Sequence, residues 1–72
     1  MKKVDDKFRD KIAFRILELR TRKRWSAAHL AAMVGTSRNA VYAWENRVSI
    51  PRMDFAVKLA KAFGMTVEEL VA

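Results

Sequence analysis

A chain of 72 residues with no cysteine and a single histidine has neither a covalent nor a metallic staple to fall back on. A domain this small buries only about 60% of the surface its unfolded form exposes. Short scaffolds commonly make up the difference with disulfides or a structural metal, but His29 alone cannot supply the three or four ligands that zinc requires. Stability must then come from closely packed helices, with or without help from a partner chain. Hydrophobic residues make up 51% of the sequence, too many for a disordered chain. No apolar run approaches the ~18 residues of a membrane span, and the start lacks the apolar stretch of a signal peptide. The expectation is one soluble domain of a reducing, cytoplasmic compartment, with no metal, cofactor or membrane.

Hydrophobic periodicity divides the chain into five helical pieces. Phe8, Ile12, Ile16 and Leu19 recur at helical spacing and predict a first helix over about 7–23. Residues 1–6 are expected to form a flexible basic arm before it. Ser26 is a good N-cap for a second helix that buries Leu30, Ala31 and Val34 and stops at Gly35. Thr36 and Ser37 offer the next cap at once, and Val41 and Trp44 give a third helix its apolar side as far as about Asn46. Pro51 suits the first turn of a fourth helix carrying Met53, Ala56, Leu59, Ala60 and Phe63, with Gly64 past its end. Thr66 and Glu69 stand at capping-box spacing for a short fifth helix. No segment alternates like a strand. The fold class is all-α.

The formal net charge is +7. Twelve of the fifteen Lys and Arg lie in residues 1–50 with five of the eight acids, whereas residues 51–72 are balanced. A basic excess of this kind points to a polyanionic partner, and it belongs to the first fifty residues.

The stretch Ala27 to Asn46 narrows that partner. Val34-Gly35-Thr36-Ser37 is too short for an ordinary antiparallel hairpin, Gly35 permits a positive φ, and Ala31 lets two helices approach closely. Leu30, Val34, Val41 and Trp44 make the seam. That is the pattern of a helix-turn-helix, whose second helix enters the DNA major groove.

From Ile12 to Leu70 the chain resembles the lambda-repressor and Cro-like family of five-helix DNA-binding domains, the XRE-type regulators. The match is carried by Ser37-Arg38-Asn39-Ala40-Val41, Trp44-Glu45-Asn46, Pro51, Leu59-Ala60-Lys61-Ala62-Phe63-Gly64 and Thr66-Val67-Glu68-Glu69-Leu70. The resemblance makes the third helix the recognition helix, with Arg38, Asn39, Tyr42 and Ala43 on its outer side. An Arg can bond guanine O6 and N7 with two donors, and an Asn adenine N6 and N7. Tyr42 offers contact with a thymine methyl or a hydrogen bond to a phosphate, and Ala43 contact with a thymine methyl.

The resemblance also places phosphate contacts around that helix, at positions held here by Arg24, Ser26, Ser37, Asn46, Arg47 and Ser49, with Arg22 and Lys23 just upstream as further candidates. Two departures matter. Where many relatives have Gln at the start of the second helix, this chain has Ala27, so that contact is missing or passes to Arg22, Lys23 or Arg24. Where relatives often have Gly, it has Arg47, which adds a cation and makes the turn less certain. The family further implies that Arg20 pairs with Glu45, locking the first helix to the third.

Other signals are weaker. His29, Ser49 and scattered acids do not make a hydrolytic triad without a pocket, there is no phosphate-binding glycine loop or metal motif, and no enzyme is expected. Trp44 and the Met residues are read as core, and Trp25 as a half-buried plug between the first two helices. Phe14, Leu17 and Phe55 fall off the apolar stripes and are candidate protein-interface residues. The favoured function is a sequence-specific regulator, a repressor, that binds a double-stranded operator as a homodimer. The alternative is an antitoxin-like or bridging module whose task is to hold a partner chain.

Overall fold

The computed structural model describes the backbone of residues 2–72 and the side chains from Lys7 onward. Five helices follow in order: α1 (Lys2–Arg22), α2 (Ala27–Val34), α3 (Arg38–Glu45), α4 (Met53–Phe63) and α5 (Val67–Val71). Among the described residues there is no strand, as expected. α1 begins earlier than its apolar stripe predicts. The basic arm expected over residues 1–6 falls outside the described side chains.

Local signals set most of the boundaries. Ser26 accepts a hydrogen bond from the His29 backbone N–H at 3.0 Å and caps α2. Ser37 does the same for α3 through Ala40 at 3.1 Å. At α5 the Thr66 hydroxyl accepts from the Glu69 N–H at 3.1 Å, while the Glu69 carboxylate accepts from the Thr66 N–H at 2.9 Å. The capping box read from the sequence is complete.

α4 departs from expectation at its start. Arg52, with φ −65° and ψ 164°, is the N-cap, and it makes no side-chain cap bond. Pro51 therefore lies just before the N-cap, two residues ahead of the helix and not in its first turn, and is buried. Arg52 pairs instead with Asp54, 3.1 Å away.

The core is one cluster to which every helix contributes: Ile12, Ile16 and Leu19 of α1, Leu30, Ala31 and Val34 of α2, Val41 and Trp44 of α3, Leu59, Ala60 and Phe63 of α4, and Leu70 of α5. Burying a Leu- or Ile-sized side chain contributes about 1.5–3 kcal/mol, and Ile16, Leu30, Val41, Leu59 and Leu70 are fully enclosed. Three apolar expectations are corrected. Phe8 is 39% exposed, and the residues after it, Arg9 and Asp10, meet Arg47 of the loop after α3 rather than an apolar partner. Met53 is 68% exposed, since α4 begins there rather than at Pro51 and the first residues of its opening turn to be buried are Phe55, in part, and Ala56. Met33 also faces solvent. Trp25 is half-buried as expected, yet it stacks on Phe63 of α4 with ring centroids 5.8 Å apart and also touches His29.

Candidate nucleic-acid interface

The turn between α2 and α3 is built by a backbone device. Gly35 takes φ +78°, and the N–H of Thr36 reaches back to the carbonyl of Ala31 at 2.9 Å. Three residues, Gly35, Thr36 and the cap Ser37, join α2 to α3. Leu30, Ala31, Val34, Val41 and Trp44 close the seam between the two helices. α3 is thereby held by its inner side.

Its outer side is free. Arg38, Asn39 and Tyr42 are exposed and Ala43 is half-buried at their base. Among the described residues, Arg38, Asn39 and Tyr42 have no ion pair or side-chain hydrogen bond. An open concavity of about 280 Å³ lies at the mouth of the turn, lined by Ala28, Ser37, Arg38 and Asn39. Polar donors and acceptors with no internal partner, beside a recess, suit an external surface that supplies hydrogen-bonding edges.

A buried ion pair fixes the orientation of that side. Arg20 Nε lies 2.6 Å from Glu45 Oε2, Nη2 lies 3.0 Å from Oε1, and Nη1 donates to the Trp25 carbonyl at 2.9 Å. The Arg20 and Glu45 side chains are only 14% and 5% exposed. The hydrogen bonds that Arg20 donates to Glu45 raise the Arg20 pKa above its ordinary value, against the opposing effect of desolvation. Two-pronged Arg–carboxylate geometry restricts both side chains. It ties the end of α1 to the last turn of α3 and to the lead-in of α2.

The eight flanking polar residues do not stand on equal terms. Arg22 is drawn back to Glu18 at 2.9 Å, and the Lys23 ammonium sits over the Trp25 ring, 5.5 Å from its centroid. Arg24 makes no ion pair or side-chain hydrogen bond among the described residues. Ser26 and Ser37 accept cap bonds but keep their O–H groups to donate outward. Asn46, Arg47 and Ser49 are exposed in the loop after α3. The turn that Arg47 made uncertain closes with φ +64° at that residue. Its guanidinium lies 3.2 Å from Asp10, and its carbonyl accepts from Arg9 at 3.4 Å. The Asp10 and Arg9 contacts were missed in the sequence, where nothing marks residues 37 and 38 positions away as neighbours. Arg15, which donates to the carbonyls of Glu69 and Leu70 at 3.0 and 3.3 Å, was missed for the same reason.

The interface trio separates. Phe14 is 64% exposed and Leu17 40% on the outside of α1. Phe55 differs from them: it is half-buried, packs on Trp44 with ring centroids 5.6 Å apart, and carries Arg52 and Lys58 over its ring. Among the described residues no group of His, Asp and Glu could hold a metal. Among the described residues no helix is long and apolar enough to cross a membrane.

The comparisons with known proteins agree with this geometry. A family model described as helix-turn-helix matches residues 16–70. No curated protein matches the sequence. Among solved structures, the chain is similar to the P22 c2 repressor in complex with a synthetic operator, at 28% identity and a TM-score of 0.79, over 83% of this chain and 91% of that one. It is also similar in fold to hydroxypropylphosphonic acid epoxidase from S. wedmorenis, at 22% identity and a TM-score of 0.76, over 88% of this chain. There it spans 34% of the enzyme's length.

Proposed function

The chain belongs to the helix-turn-helix family, and from that premise we propose that it is a sequence-specific regulator of transcription that binds double-stranded DNA. The observation that carries the reading is the outer side of α3, where Arg38, Asn39 and Tyr42 stand exposed and uncommitted on a helix fixed from behind by Val41, Trp44 and the Arg20–Glu45 pair. With α3 in the major groove, Arg38 and Asn39 read base edges through paired hydrogen bonds, and Tyr42 and Ala43 meet thymine methyls. Arg22, Lys23, Arg24, Ser26, Ser37, Asn46, Arg47 and Ser49 hold the phosphates and set the register without reading sequence.

The protein acts as a repressor in the cytoplasm by occupying its operator. The likeness to a repressor bound to an operator supports this reading over catalysis. The epoxidase likeness, at 22% identity and about a third of that enzyme, concerns fold alone. A homodimer would set two copies of α3 roughly 34–36 Å apart, one helical turn of DNA. The test is selection of bound duplexes from a random pool. The expected outcome is a short shared motif, repeated as two half-sites if the protein binds as a dimer; a folded protein that enriches nothing overturns the reading. A second reading, a module that holds a protein partner, is favoured by one observation, the exposure of Phe14 and Leu17 on α1.

A further inference from the structure

Four of the five helices end in the same way. At each end one residue takes a left-handed conformation, and the N–H of the next residue bonds to a carbonyl five positions back. The bonds run from Trp25 to Arg20 at 3.1 Å, Thr36 to Ala31 at 2.9 Å, Val48 to Ala43 at 2.8 Å and Met65 to Ala60 at 2.9 Å. The left-handed residues are Arg24 (φ +61°), Gly35 (+78°), Arg47 (+64°) and Gly64 (+74°). Glycine is the ordinary occupant of such a position, since any other L-residue is strained there. A Cβ placed on Gly35 or Gly64 would meet nothing within 4 Å, so backbone conformation rather than space is what glycine relieves there.

Arginine at two of four equivalent positions is thus locally unfavourable and needs a compensating role. Helix-dipole complementarity does not supply one. Arg20 and Arg22 already place cations in the last turn of α1, and a basic residue there requires no positive φ. Core packing does not either, because both arginines are exposed. The Asp10 contact of Arg47 joins side chains 59% and 66% exposed, where an ion pair contributes little. Of the three cations that close α1, Arg22 and Lys23 are engaged within the protein, and Arg24 is the one left without a partner among the described residues.

We propose that Arg24 and Arg47 are a pair of strained phosphate clamps, in which folding stability is given up to keep a cation where glycine would fold better. The ligand is the phosphodiester backbone of duplex DNA, so the proposal rests on the reading above and assigns unequal roles within its set of phosphate contacts. Arg24 supplies the contact that buried Ala27 cannot make, one residue before Trp25 and the α2 cap. Arg47 supplies the matching contact past the end of α3. Arg22 and Lys23 contribute general positive potential and are secondary.

The experiment compares the full chain with Arg24→Gly, Arg47→Gly, the double variant and Lys61→Ala. Thermal unfolding is paired with binding to a mixed-sequence DNA duplex across a salt series. Each glycine variant should melt higher, by roughly 3–6 °C, yet bind roughly three- to tenfold more weakly. The log–log salt dependence should become shallower by about 0.9 for each phosphate that is no longer neutralised. Lys61→Ala, which removes an exposed cation of α4 outside the phosphate set, should leave the salt slope nearly unchanged. Arg47→Asn, uncharged and tolerant of the left-handed conformation, should reproduce the binding loss if the glycine variant is too mobile to interpret. Glycine variants that bind like the parent with the same slope overturn the inference while leaving DNA binding intact, as do variants that melt lower. A parent chain that binds no duplex removes the functional reading and this inference with it.

Discussion

Arg20 and Glu45, 25 positions apart, meet through two hydrogen bonds of 2.6 and 3.0 Å at the point where α1, α3 and the entry to α2 converge. The pair is nearly enclosed, so neither partner can recover its hydration if the other is removed. Arg22 and Glu18, one turn apart on α1, form a pair of similar length, 2.9 Å, but the Arg22 side chain is 66% exposed. Bond length does not separate the two pairs; access to water does.

Arg20→Ala should therefore destabilise the fold by roughly 2–4 kcal/mol, since it strands a buried carboxylate and leaves the Trp25 carbonyl short of a donor. Arg22→Ala should cost under about 0.5 kcal/mol. Chemical denaturation of both variants against the parent decides the matter. Equal losses would mean that Glu45 is solvated once Arg20 is gone, and that the pair does not lock the recognition helix.

Arg38 and Arg47 should differ in kind. Replacing Arg38 with Ala removes a pair of donors from the outer side of α3, and should cost roughly 1–3 kcal/mol with relaxed preference at one base position. Replacing Arg47 with Ala should weaken all sequences alike, because a phosphate contact carries no base information. Selection experiments on both variants report the two patterns side by side. The same loss of preference in each would overturn the division between reading and positioning residues.

What could be read from the sequence was what is decided within a few residues. Ser26, Ser37 and the Thr66–Glu69 box act on backbone groups within three positions, and Gly35 and Gly64 announce their conformation by their lack of a side chain. Phe8 and Met53 show where this fails. Both lie on an apolar stripe, but whether the stripe meets a partner there depends on tertiary packing that local spacing does not set. Phe55 fails the other way: it lies off the stripe of α4 and is drawn in by Trp44 of α3. Arg24 and Arg47 were recognisable as cations but not as left-handed residues, since an arginine gives no local sign of positive φ. Arg20 and Glu45 were paired only through family resemblance, because no local rule connects positions so far apart.

Phe14 and Leu17 test whether α1 has a partner of its own. Both are exposed, so Phe14→Ser and Leu17→Ser should leave stability within about 0.5 kcal/mol of the parent. Ile16→Ala, in the same turn but enclosed, should cost roughly 2–5 kcal/mol. If α1 is an interface between copies, the serine variants shift the sedimentation of the free protein toward smaller species. Unchanged sedimentation and DNA binding in the double serine variant would rule out this face as the dimer contact.

Gly35→Ala isolates the backbone contribution to the turn. An added Cβ meets no atom within 4 Å, so the penalty is conformational, about 1–2 kcal/mol for holding an L-residue left-handed. It is offset by about half that through a less flexible unfolded chain. A net loss near 1 kcal/mol is expected by thermal or denaturant unfolding, opposite in sign to Arg47→Gly at the equivalent position after α3. Because the seam of Leu30, Val34, Val41 and Trp44 is untouched, the folded variant should select the same DNA motif as the parent. A changed motif would mean that the turn relaxes by rotating α3, and that Gly35 sets the aim of Arg38 and Asn39 as well as the stability of the fold.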